Sequence, residues 1–145
     1  MRMDLQAIMN TKRWMIGVGA LATFFGLMNY VFAETVAGDG WGNTMTTHDV
    51  FYEAAWGLMT MGMGVMCIAT GMMVTGRALH MMAMIAAGVQ FAMFGLMYSM
   101  AQDISYALMT PENMVPPIIL MGLLALSGYV HLEEGEEAPA GAEEE

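Results

Sequence analysis

The residues best placed to do chemistry are polar side chains set into long apolar runs. Asn29, Glu53, Thr60, Ser99, Gln102 and Asp103 all fall toward the same ends of such runs. Glu53 is the only charged residue between Val50 and Val74. If the runs are helices packed side by side, these groups converge on a shallow pocket with Tyr30, Tyr52 and Tyr98. A carboxylate withdrawn from water there can hold a proton or a cation. The other reading is a wet acid in the first turn of a helix, favoured by the positive end of the helix dipole. Both readings stand on the sequence.

Other reactive groups lead less far. The chain has 21 methionines, and Met59, Met61 and Met63 alternate. Thioethers are soft ligands for monovalent copper. On a helix, however, residues two apart point about 200° away from each other, so the triplet cannot close on one ion. Met59, Met63 and Met66 do share a face. Methionine is also a flexible gap-filler, and its spread along the whole chain suits packing. His80 and His131 fall at one pair of helix ends and form the single alternative metal or haem site; His48 falls at the other. Cys67 stands alone inside an apolar run, which excludes a disulfide within the chain. There is no HExxH, no phosphate loop, no CxxC and no Ser-His-Asp order. No catalytic residue and no cofactor are therefore predicted, and the reading leans away from an enzyme.

The elements that must position these groups follow from composition. Of 145 residues, 57% are hydrophobic and 12% charged, against about 25% charged in an ordinary soluble domain. Such a surface suits a lipid bilayer. Lys and Arg together number 4, which leaves no footprint for nucleic acid. The predicted fold is all-α: a four-span transmembrane bundle with spans at 14–33, 50–75, 78–100 and 114–132. A helix over the 25 residues 50–74 would be roughly 37 Å long, and a bilayer core is about 30 Å thick.

Small and polar residues line one face of the second span: Glu53, Gly57, Thr60, Gly64, Cys67, Gly71 and Thr75. The first span has a matching stripe at Gly19, Ala22, Gly26, Asn29 and Ala33, and the third at Gly88, Ala92, Gly95 and Ser99. Stripes of this kind let helix backbones approach closely in lipid. The glycine-rich segment 34–49 is predicted to be a polar loop, with Thr46 and Asp49 capping the second span. Thr110 and Pro111 read as a helix start, and Pro116-Pro117 predict either a kink there or the true start of the fourth span. Residues 1–12 form a short amphipathic start or a frayed end. Residues 133–145 hold half of the 14 acids and are predicted to be a disordered tail.

Arg2, Lys12, Arg13 and Arg77 all fall on one side of a four-span arrangement, which predicts cytoplasmic termini; the expected location is a prokaryotic plasma membrane. The segment from Lys12 to Ala33 also has the form of a secretory signal, though its apolar run is long and Asn29 interrupts it. Phe25-Gly26-Leu27-Met28 recurs as Phe94-Gly95-Leu96-Met97, and the same shift aligns Gly19 with Gly88 and Glu34 with Asp103. Taken as a repeat, this makes the domain two tandem helical hairpins. In Met/Gly/Ala-rich sequence such matches also arise by chance.

Gly57 and Gly64, the turn Gly76-Arg77-Ala78, and Phe94-Gly95 give the chain a resemblance to small DoxX-type four-helix membrane proteins. It extends over most of residues 14–132 as architecture and composition. The methionine load and the acidic tail depart from that pattern, and no catalytic residue carries over. The resemblance implies a leaning toward membrane redox or quinone systems. The reading the sequence favours is a small non-enzymatic subunit or accessory protein of a larger membrane assembly, or a self-associating one; the alternatives are a carrier or proton/cation-coupled transporter using Glu53, and a redox-linked protein that binds quinone or metal.

Overall fold

The computed structural model describes residues 8–104 and 106–132. The predicted acidic tail and most of the amphipathic start lie outside the described residues. Within them the chain is all-α, with five α-helices and one 3₁₀ turn. α1 spans Thr11–Val31, α2 Ala33–Trp41, α3 Thr47–Met73, α4 Gly76–Ile104 and α5 Pro111–Tyr129. The 3₁₀ turn Gly42–Thr44 joins α2 to α3. α1, α3 and α4 are each long and apolar enough to cross a membrane. α5 lies where the fourth span is predicted but is not among these helices; its polar opening turn, Pro111-Glu112-Asn113, dilutes an otherwise apolar run.

α1 is the hub. Along one side it packs against α3 through glycines. A Cβ on Gly57 would stand 2.5 Å from the Tyr30 amide nitrogen and 2.7 Å from the Gly26 carbonyl oxygen. A Cβ on Gly19 would stand 2.7 Å from the Gly64 oxygen. Gly26 faces the Met61 backbone, and Gly64 faces Thr23, just as closely. The stripes predicted for the first and second spans therefore do meet, backbone to backbone. On its other side α1 meets α4 and α5. There Met15 and Val18 join Leu79, Ala83, Ala87, Met121 and Leu124 in the main apolar core, with Cys67 packed at its edge.

The stripe predicted for the third span is a different case. Gly88, Ala92, Gly95 and Ser99 are exposed, and a Cβ on Gly88 or Gly95 would meet nothing within 4 Å. α4 turns Leu79, Ala83 and Ala87 inward instead. Both faces satisfy the same small-residue pattern, and only tertiary packing chooses between them. For the same reason the repeat does not carry through to packing: Gly26 lies in a helix contact, while its counterpart Gly95 lies open.

The predicted loop over 34–49 requires correction. Its first part is the helix α2, separated from α1 only by a bend at Phe32, whose φ of −108° and ψ of 27° leave the helical region. Ala33, Ala37 and Gly40 recur at helical spacing and are buried, so packing outweighs the low helix propensity of glycine. Gly42, at φ 57°, takes the left-handed backbone that ends the helix.

The helix ends follow local rules. Thr46 precedes α3, and Asp49 Oδ2 accepts from the Thr46 amide at 2.7 Å and from its hydroxyl at 2.6 Å. Thr110 caps α5 with Pro111 in the first turn. Pro116 and Pro117 lie inside α5, so this helix starts at Pro111 and passes through both prolines. Outward faces carry large apolar groups: Phe25, Phe51, Met66, Met73 and Leu96 are all exposed.

Candidate functional site

The helices bring charge to opposite ends. Lys12, Arg13 and Arg77 lie at the end where α1 and α4 begin. Glu34, Asp39, Asp49, Glu53, Asp103 and Glu112 lie at the other, and no Lys or Arg of the described residues joins them. The two can be called the basic and acidic ends.

At the acidic end Glu53 is held from two directions. It sits in the second turn of α3 and is partly buried. From α1, Asn29 Nδ2 donates to the Glu53 carbonyl at 2.8 Å and to carboxylate Oε2 at 3.3 Å. From the loop between α4 and α5, the Tyr106 hydroxyl donates to Oε1. The carboxylate thus has a donor on each oxygen, which fixes its orientation. Asn29 reaches it because the Gly26–Gly57 contact brings α1 and α3 together just below.

Tyr106 is itself positioned by α2. Its ring lies against Gly40, where a side chain would collide with it, and stands 5.0 Å from the Trp41 ring. The Ala107 amide donates to the Gly40 carbonyl at 3.0 Å, pinning the loop to α2. The Tyr106 phenol ionises well above its ordinary range: burial is the main cause, and the hydrogen bond to Glu53 and the negative charge of that carboxylate add to it. It is therefore a neutral donor throughout the physiological range.

These groups border a cavity of about 420 Å³. α3 and α4, though consecutive in sequence, make little contact with each other, and residues of both line the cavity at the acidic end. Trp41, Tyr52, Trp56 and Tyr106 line it together with the carboxylate-bearing residues Asp49 and Glu53. Met97, Met100 and Ile104 of α4 complete the wall. The cavity combines negative charge, aromatic rings and thioethers, with no basic residue among its lining groups.

The six predicted polar residues divide. Asn29 and Glu53 are joined directly. Thr60 is partly buried, further along α3. Ser99, Gln102 and Asp103 are exposed and do not line the cavity, because α4 turns Ala101 inward at that level. Of the tyrosines expected beside them, Tyr52 lines the cavity and Tyr30 and Tyr98 do not. Tyr106 and Trp41, which also line the cavity, were missed by sequence reasoning. The available signal was their position in the two linkers at the acidic end, which must close over any space between the helices.

The basic end holds a second polar cluster. The buried Thr11 hydroxyl donates to the Ser127 carbonyl at 2.7 Å, and His80 Nδ1 lies 2.8 Å from the same Thr11 oxygen. The hydroxyl proton is committed to a carbonyl, which can only accept, so His80 Nδ1 is the donor to Thr11. That nitrogen is then not open to a metal. The His80 and His131 rings stack with centroids 5.5 Å apart. Among the described residues no three or more His, Cys, Asp or Glu gather as a metal site. Met59 and Met66, two of the three methionines sharing a face on α3, are exposed. Comparison of the chain with protein-family models, curated proteins and solved structures gave no match.

Proposed function

We propose that this chain is a four-span integral membrane protein, α5 being the fourth span, and that it carries a cation- or proton-binding site centred on Glu53 at its outer face. The observation that carries the reading is the hold on Glu53. A carboxylate one turn into an apolar helix is given a donor on each oxygen and set on the wall of a cavity free of basic residues. The charge pattern agrees: with every described Lys and Arg at one end, the positive-inside rule makes the acidic end external and both termini cytoplasmic. On this reading the protein is a small carrier or proton/cation-coupled transporter. Wild-type protein in liposomes under an imposed proton or sodium gradient should show flux, and Glu53→Gln should abolish most of it. No wild-type flux, or equal flux in the variant, would end the transport reading.

A second reading has its own observation. The exposed stripe of Gly88, Ala92, Gly95 and Ser99 on α4 lies beside a groove of about 260 Å³ between α4 and α5. Small residues left open on a helix in lipid suit a neighbouring helix, so the chain also fits a small subunit of a larger membrane assembly. Crosslinking from Gly88→Cys in native membranes should capture a partner; recovery of uncrosslinked monomer alone would count against it.

A further inference from the structure

We infer that the ligand of the Glu53 cavity is an organic cation bearing a quaternary ammonium group, recognised by an aromatic box. This deepens the cation-binding reading above and rests on it. Four aromatic residues from three segments border one cavity: Trp41 from α2, Tyr52 and Trp56 from α3, and Tyr106 from the α4–α5 loop. Trp41 and Tyr106 stand 5.0 Å apart, and Tyr106 is fastened to Glu53.

A metal ion or hydronium would be served by oxygen ligands, with no call for four rings. A purely apolar ligand would have no use for the carboxylates of Glu53 and Asp49 or for the surplus of acids at this end. A cation without N–H groups, bulky and weakly hydrated, uses both: ring faces attract it within about 6 Å of their centroids, and the carboxylates supply countercharge. The volume of about 420 Å³ is that of a small-molecule site. Entry is favoured electrostatically, since no described Lys or Arg lies at the acidic end.

The experiment is a titration of the full chain in dodecylmaltoside with benzyltrimethylammonium, read by tryptophan fluorescence. Its uncharged carbon isostere, neopentylbenzene, is the control. The expected result is saturable quenching by the cation and binding at least about tenfold weaker for the isostere. Trp56→Leu and Glu53→Gln should each weaken the cation by a similar factor, while Trp14→Leu, at the basic end, should leave affinity unchanged. Equal binding of the isostere, or no saturation by the cation, would overturn the inference. Competition by dihexanoylphosphatidylcholine would identify the source as a lipid headgroup; its absence would identify a free cation. Proton or sodium flux lost in Glu53→Gln without ammonium binding would sink this inference and leave the site reading intact. Ammonium binding without any flux would do the reverse to transport.

Discussion

At the scale of single residues, the chemistry rests on how Glu53 is held. Its position in the sequence left open whether it was wet or engaged. What decides is Tyr106, more than fifty positions away, and no local pattern links the two. The Asn29 contact was easier to foresee, because both residues lie on stripes that face each other. The Tyr106 phenol gives a pH test. Its ionisation is shifted upward in the folded protein, so its contribution to stability is fully present below about pH 10, the ordinary value, and is lost as pH rises beyond it. An alkaline titration followed at the tyrosinate absorbance should show a late component in the wild type. That late component should vanish in Tyr106→Phe. If the late component persists in the variant, Tyr106 is not the phenol held against Glu53.

At the scale of the elements, glycine is the discriminating residue. Gly57 and Gly88 read alike in the sequence, each on a small-residue stripe with four-residue spacing. Their surroundings differ completely: Gly57 lies against the α1 backbone, and Gly88 faces open space. Gly57→Ala should force α1 and α3 apart, a destabilisation of about 1–3 kcal/mol. Gly88→Ala should be neutral or gain up to about 1 kcal/mol from helix propensity. Thermal unfolding of both variants in the same detergent checks the pair, and equal effects would contradict the assigned packing. The stripes on the first two spans were legible because each matched a partner of the same kind. The third was misleading because α4 also offers Leu79, Ala83 and Ala87, and a helix pattern alone does not rank two faces. α2 was missed for a related reason: glycine content suggested a loop, and the burial of Ala33 and Ala37 that makes it a helix is a tertiary fact.

At the scale of the whole molecule, the segregation of charge was the most legible feature, since it needs only the order of helices and the positions of Lys12, Arg13 and Arg77. It yields a topology prediction. In a Cys67→Ala background, a cysteine placed at Asp39 should react with a membrane-impermeant maleimide added to intact cells. A cysteine at Arg77 should react only after lysis. Labelling of both, or the opposite order, would reverse or break the proposed four-span arrangement. A shallow pocket at this end was legible, but not its lining by Trp41, Trp56 and Tyr106. That lining draws on two consecutive helices that make little contact with each other and on the linkers at that end, neither of which periodicity encodes.

The central claim is that Glu53 is a membrane-level carboxylate facing a cation site. A water-soluble carbodiimide with glycine methyl ester, which amidates accessible carboxyl groups, tests it directly. Purified protein should be treated at mildly acidic pH with and without benzyltrimethylammonium, and the adducts mapped by mass spectrometry. The account predicts modification at Glu53, strongly reduced by the cation. No modification at Glu53, or modification there that is indifferent to the cation, would contradict it.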